Sequence, residues 1–162
     1  MDTIILQFKE VKGNTLIDGF KDGIQLMSFS HTVSMQMNSD TANTERTLGR
    51  PMFSEFSTTK MTDQSTPALY AACAAGTKLG DATISIGRNE GGKFMLQMKY
   101  VLSNAMIASI STGGGGSDMV DSLSINFSGI TSQYTQQNPD STLAGTAPFG
   151  WDLSTNKTLT PA

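Results

Sequence analysis

The sequence predicts an all-β protein with one short α-helix. Apolar and polar residues alternate in several segments, which is the pattern of strands with one buried face. Eighteen serines and twenty threonines accompany only 15% charged residues, and threonine suits a pleated surface while serine disfavours helix interiors. Only the segment from Ser65 to Gly76 combines signals for the start and the end of a helix. The length of 162 residues predicts one domain, 1–162.

The first half of the chain contains three predicted strands. Ile4–Phe8 is a short strand-like run, and Ile24–Met37 alternates over its whole length, which predicts one long strand. The polar segment Asn38–Pro51 has neither period and is expected to be a long loop. Strand character resumes over Met52–Lys60.

The helix is expected to be capped by Thr66, to begin at Pro67 and to stop at Gly76. Threonine can cap a helix, Pro67 suits the first helical position, and glycine suits the residue after the last turn. No Glu or Gln follows at the capping-box position, so the helix should be short and stabilised by packing.

The second half again alternates. Asp81–Ile86 and Lys93–Leu102 should form a hairpin, and Ala105–Ser111 a further strand. After Phe127 the apolar positions change phase, which predicts a bulge near Ser128–Gly129. From Asn138 onward we expect mainly extended chain or loop, with one closing strand.

The glycine run in Ser111–Met119 is interpreted as a connection between two strands. A phosphate-binding loop of the Walker type needs a lysine after the glycines and a helix beyond it. Here no lysine follows, and the next element alternates like a strand. The run therefore does not predict a nucleotide site.

Other candidates for chemistry are few. His31, the only histidine, is expected to be a structural strand residue rather than a general base, and Cys73 a small buried residue. The ten methionines are expected mainly in the core, with a contact surface as the second possibility. Four aspartates that a carboxylate pair would use are expected in turns, where they cap and hydrogen-bond locally: Asp63, Asp81, Asp118 and Asp121. We therefore predict no enzyme activity, no cofactor and no metal site.

The net charge, the first residues and the cysteine count argue against several other classes of protein. The net charge of −3 gives no electrostatic reason to expect nucleic acid as a partner. The first residues have only a short apolar run between Asp2 and Lys9, which is neither a cleavable secretion signal nor a membrane span. One cysteine excludes an intrachain disulfide. We expect a cytoplasmic protein that leaves the cell, if it does, by another route and without membrane insertion.

Three segments resemble one family. They are STPALYAACAAGTKLGDATISI, SISTGGGGSDMVDSLSINFSGITSQYTQQ and the closing FGWDL. The matching residues are Ser65, Thr66, Pro67, Ser111, Thr112, Gly113, Gly114, Leu123, Ile125, Phe127, Tyr134, Gly150 and Trp151. In their order and spacing these segments are similar to the haemolysin-coregulated protein (Hcp) family of the type VI secretion system.

The resemblance implies a compact β-barrel of two packed antiparallel sheets with one short helix, related in fold to phage tail-tube proteins. It implies a structural subunit that forms homohexameric rings, which stack into the inner tube and are exported when a sheath contracts. The implied partners are other copies of the chain, the spike protein at the tube tip, sheath and baseplate components, and effector proteins carried in the lumen. Contacts between stacked rings are expected from the loop residues Arg46, Leu48, Arg50 and Pro51.

Two other hypotheses belong to different classes. A small β-barrel that binds a carbohydrate or lipid would need a deep pocket within one subunit and aromatic platforms. The sequence offers one tryptophan and three tyrosines for that purpose. A hydrolase would have to use His31 and would lose its activity on substitution of that residue.

Overall fold

A computed structural model describes residues 3–40, 42, 44–137 and 143–160 of the chain. Its described part is built of strands joined by turns and loops, the longest of them between the first two strands, with one helix after the fifth strand. In chain order the elements are β1 (Thr3–Phe8), β2 (Ile24–Ser30), β3 (Val33–Met37), β4 (Thr47–Phe53), β5 (Phe56–Met61), α1 (Ser65–Ala75), β6 (Ala82–Glu90), β7 (Lys93–Ser103), β8 (Met106–Gly113), β9 (Val120–Asn126), β10 (Gly129–Gln137), β11 (Leu143–Asp152) and β12 (Lys157–Thr158).

The strands form two antiparallel sheets of unequal size. Ten of them lie in the order β12-β11-β10-β7-β6-β1-β2-β5-β9-β8, and β3 pairs only with β4. Phe56 on β5 and Tyr100 on β7 have ring centroids 5.3 Å apart, although four strand spacings separate these strands, about 19 Å in a flat sheet. The large sheet must therefore curl on itself. The predicted all-β barrel with one short helix is confirmed.

The core lies inside the curl. It combines inward residues of β1, β2, β5, β6, β7, β9 and β10 with two residues from one face of α1, Leu69 and Ala72. Alternation along β9 shows why these residues face inward, since Leu123 and Ile125 are buried while Ser122 is exposed.

Two of the predicted strands are divided in the structure. The run Ile24–Met37 breaks at His31–Thr32 into β2 and β3, and Met52–Lys60 breaks at Ser54–Glu55. Two hydrogen bonds join these two breaks. The Thr32 N–H donates to Ser54 Oγ at 2.9 Å, and the Ser54 N–H donates to the Thr32 carbonyl at 2.9 Å. The chain thus leaves the large sheet, forms the hairpin β3–β4, and returns.

The predicted bulge at Ser128–Gly129 is wrong. β9 ends at Asn126 and β10 begins at Gly129, where the chain crosses to a different part of the sheet beside β7 and β11. The change of phase therefore marks a change of strand. The closing strand after Asn138 is found as β11, and a short β12 follows it.

The helix begins earlier than expected and ends as expected. Ser65 is its first residue, so Thr66 lies within the first turn and does not cap it. Asp63 supplies the missing partner, because its carboxylate accepts the Ser65 N–H at 2.9 Å. Gly76 ends the helix with φ of 64°, the left-handed conformation that glycine adopts without strain.

Candidate functional site

The outer face of β2, β5, β9 and β8 carries two cross-strand rows of hydroxyl groups. Strand pairing aligns the side chains, because directly opposed residues lie on the same face of a sheet. The first row is Ser30, Ser57, Ser124 and Ser109; the second is Ser28, Thr59, Ser122 and Ser111. Eight uncharged hydroxyl groups therefore cover one continuous area.

This hydroxyl face is slightly concave and open to solvent. A depression of about 270 Å³ lies over it, and its lining includes all eight hydroxyl residues. The hydroxyls of Ser28 and Thr59 also hydrogen-bond to each other across the strands. Such a surface offers many weak hydrogen bonds and no charge, so it can contact varied partners without holding one tightly.

The residues expected to join stacked rings lie on the hairpin β3–β4 and at its tip. Arg46 precedes β4 and is exposed, whereas Arg50 and Pro51 lie within β4, where Pro51 is opposite Met35. The backbone of Leu48 belongs to β4, and its side chain lies outside the described part. The predicted loop Asn38–Pro51 is thus shorter than expected, because its second half pairs with β3.

The described methionines lie outside the fully buried core, although Met98 packs against it. Five of the described ones are exposed by about half or more: Met27, Met37, Met52, Met61 and Met119. None of the described methionines belongs to the fully buried core. The expectation that methionine mainly fills the core is therefore wrong, and the interpretation of the exposed methionines as a contact surface stays a prediction.

A buried ionic network joins β5, α1, β8 and β9. The side chains of Lys60 and Asp121 are fully buried, and Lys60 Nζ lies 2.8 Å from Asp121 Oδ2. The same ammonium lies 3.0 Å from Asp63 Oδ1 and donates to Thr66 Oγ1 at 3.0 Å. Asp121 is directly opposite Lys60 in the sheet, so the register of β5 and β9 creates the ion pair.

Three hydroxyl groups complete the shell around Asp121. Thr66 donates at 2.6 Å to Oδ2, while Thr62 at 2.9 Å and Thr112 at 2.8 Å donate to Oδ1. Burial by itself raises the pKa of Asp121, but the hydrogen bonds from Lys60 and the three threonines outweigh it and lower that pKa to about 2. The carboxylate is therefore held ionised, which suits a structural ion pair and not a proton-transferring group.

Sequence reasoning missed this network. Asp121 was expected in a turn, yet it lies in β9 and is fully buried. Lys60 was assigned to a strand without a role. The available signal was a lysine at an inward position of an alternating strand, since such a lysine is rarely buried unless it is paired.

His31 was expected to be a structural strand residue, but it lies between β2 and β3 and packs there among aromatic rings. Its ring packs against Phe53, Phe56 and Phe127, with centroid separations of 5.6 to 6.0 Å. Burial lowers the pKa of His31, and a hydrogen bond with the Ser54 backbone raises it by a smaller amount. Nε2 is buried without a hydrogen-bond partner. The His31 ring lies at the point where the hairpin β3–β4 leaves the large sheet.

The glycine run connects β8 to β9, as its interpretation as a strand connection requires. Over the described ranges, no three His, Cys, Asp or Glu side chains are close enough together to hold a metal ion. Likewise, within the described part, no helix has the length and apolar character needed to cross a membrane. Fold and surfaces define a strand-built protein with a large uncharged hydroxyl surface.

Comparison with known proteins gives the family. The family model for "Type VI secretion system effector, Hcp" matches residues 5–134. The chain therefore belongs to the Hcp family of the type VI secretion system. Membership of this family supports the interpretation of the chain as a tube protein of that system, which oligomerises and is secreted. The family is a structural one and is not known for enzymatic activity.

Three known proteins are similar to this chain in sequence or in fold. Protein hcp1 of Pseudomonas aeruginosa is 30% identical over 106 residues, which are 63% of this chain and 65% of that protein's length. A solved type six secretion system protein has a TM-score of 0.90 at 21% identity, covering 98% of this chain and 100% of its own. Hcp1 from Salmonella typhimurium has a TM-score of 0.81 at 18% identity, covering 98% and 99%. At these identities the two structures show the shared fold.

Proposed function

We propose that this protein is a structural subunit of the type VI secretion inner tube. Six copies form a ring, rings stack into a tube, and contraction of a sheath expels the tube together with effectors in its lumen. Its partners are its own copies, the spike protein at the tip, sheath and baseplate components, and effectors. The protein is made in the cytoplasm, is exported with the tube, and breaks no bond.

The hydroxyl face is the observation that carries the proposal. A lumen must let cargo enter, remain and leave, so its wall should bind many surfaces weakly. The eight hydroxyl groups on β2, β5, β9 and β8 form such a wall, because a single hydroxyl hydrogen bond exchanged against water contributes only about 1 kcal/mol. No ionic group stands among these eight positions. We assign this face to the lumen.

The first experiment measures assembly. Native mass spectrometry of the purified protein should give the mass of six chains, and electron micrographs should show rings with a central hole. A protein that stays monomeric at high concentration would contradict the proposal.

The second experiment tests the lumen. The double substitution Ser57→Lys and Ser124→Lys places two charges at the centre of the hydroxyl face, where Ser57 and Ser124 are directly opposed. We expect rings of unchanged mass and a clear loss of co-exported protein from the culture medium. The matched control Gln136→Lys adds a charge at an exposed position of β10 and should leave export unchanged. Equal export of effectors by both variants would refute the assignment of the hydroxyl face to the lumen.

The ligand-binding hypothesis receives little support. Trp151 packs against the core, and its indole nitrogen is buried, so it does not form an exposed platform. The depression over the hydroxyl face is lined mainly by hydroxyl residues, with Phe29 as its one aromatic side chain.

A further inference from the structure

The hairpin β3–β4 is attached to the barrel at one place. In the described part of the chain its strands pair only with each other, and they have no more than isolated contacts with any other element. At the attachment the N–H groups of Thr32 and Ser54 each donate a hydrogen bond to the other residue at 2.9 Å. A two-stranded hairpin is at best marginally stable alone in water. The order of this hairpin therefore depends on the attachment.

The His31 ring connects three parts of the chain at this place. Its centroid lies 6.0 Å from that of Phe53, the last residue of β4, and 5.6 Å from that of Phe56, the first residue of β5. The Phe127 ring, in the connection between β9 and β10, lies 5.7 Å away. Stacking of the imidazole thus joins the end of the hairpin to the barrel.

This aromatic stack favours a neutral imidazole. Protonation puts an N–H group on both ring nitrogens, and Nε2 is buried without a hydrogen-bond partner. A buried charge without a partner is costly, so the group stays neutral or moves to water. Burial accordingly lowers the pKa of His31, and a hydrogen bond with the Ser54 backbone raises it by a smaller amount.

Other ionisable groups around the stack do not titrate in the same range as a histidine. Strands β2 and β3 carry none. Those on or beside the elements packed against His31 and its ring partners are Arg50 of β4, Glu55 before β5, Lys60 of β5, Asp121 of β9 and Tyr100 of β7. Lys60 and Asp121 are paired with each other, Arg50 and Glu55 are exposed, and burial raises the pKa of Tyr100. Side chains of these types ordinarily titrate below about pH 5 or from about pH 10 upward, which leaves His31, the only histidine.

We propose that His31 is a pH-sensitive switch that holds the hairpin β3–β4 on the barrel only while its imidazole is neutral. In mild acid the imidazole takes up a proton and leaves the stack for water, so the hairpin detaches. The barrel stays folded, because His31 is not part of its buried core. The inference goes beyond the proposed function, since it concerns the single chain, and it implies that any contact made through the hairpin weakens in acid.

Acid favours the detached hairpin because the detached form binds the proton more tightly. Burial lowers the pKa of His31 only while the ring is in the stack, so attachment is strongest above the ordinary histidine value of about 6.5. Below that value each pH unit shifts the equilibrium toward the detached form by up to about tenfold, until the lowered pKa is reached.

Hydrogen–deuterium exchange followed by mass spectrometry measures the release. After correction for the intrinsic pH dependence of exchange, the backbone amides of β3 and β4 should exchange up to about tenfold faster at pH 5.5 than at pH 7.5, while those of β5 and β9 keep their protection. His31→Phe keeps an aromatic ring that cannot be protonated, so its hairpin should be protected at both pH values. His31→Ala removes the ring, so its hairpin should exchange rapidly at both. Glu55→Gln, the control for the neighbouring acid, should behave like the natural protein.

Three results would overturn the inference. Equal protection of β3 and β4 at both pH values in the natural protein would mean that His31 does not control the attachment. Acid-dependent exchange that persists in His31→Phe would assign the effect to another group. An equal rise of exchange in β5 and β9 would mean that the whole barrel loosens. Native mass spectrometry of the same samples tests the proposed function separately, because monomers at pH 7.5 would contradict that function and leave the switch untouched.

Discussion

Replacing Lys60 by methionine should destabilise the barrel strongly. Methionine has a similar length but no charge, so Asp121 and Asp63 both lose the ammonium that lies 2.8 and 3.0 Å from them. Removing one partner of a buried ion pair typically costs about 3–5 kcal/mol. Because the three threonine hydroxyl groups still donate to Asp121, the expected loss in the free energy of unfolding is at the lower end of this range, about 3 kcal/mol. For a domain of this size that corresponds to a Tm lower by about 6–12 °C.

Guanidinium unfolding followed by the fluorescence of Trp151 measures this loss. The subunit concentration must be held constant, because association contributes to the stability of an oligomer. Lys78→Met, at an exposed loop position, is the matched control and should stay within about 0.5 kcal/mol of the natural protein. The double variant Lys60→Met with Asp121→Leu should recover part of the loss, since it leaves no unpaired charge at that position. Equal stabilities for the Lys60 and Lys78 variants would refute the assigned role of the network.

Three further outcomes follow from the structure. Since the folded protein lowers the pKa of Asp121 to about 2, its stabilisation is complete above about pH 4 and is lost toward pH 2; Asp121→Asn should flatten that acid dependence in unfolding titrations. The pKa of His31 is likewise lowered, so stability should fall as pH drops below about 6.5, and His31→Phe should abolish this fall between pH 7 and 5. Gly150→Ala would place Cβ 2.2 Å from the Leu159 carbonyl oxygen and should cost about 1–3 kcal/mol in thermal unfolding, whereas Gly145→Ala, with no neighbour within 4 Å, should change little.

Local patterns predicted most of the elements. The strand-like run Ile4–Phe8 and the alternation in Lys93–Leu102 both depend on adjacent residues, and both strands are found. The end of the helix at Gly76 also depends on a single local residue, because glycine readily adopts the left-handed conformation that ends a helix. The start of the helix was misplaced, since Thr66 is engaged by Lys60 and Asp121 and is not free to cap.

The functional surfaces were only partly predictable. Alternation in β9 indicated that Ser122 and Ser124 share a face, but it could not indicate which other strands would lie beside them. Strand register decides that, and register depends on residues far apart in the chain. The same holds for the ion pair of Lys60 and Asp121, which are 61 residues apart.

By itself the sequence determined the all-β class, the single short helix, the absence of a nucleotide-binding pattern and the resemblance to one family. These features depend on composition and on short-range periodicity, which survive in any register. Only the tertiary structure decided that eight hydroxyl groups form two rows, that five of the described methionines are exposed, and that β3 and β4 leave the large sheet as a separate hairpin. Each of these depends on which strands become neighbours, and strand pairing is chosen by the burial of the whole core rather than by any one segment.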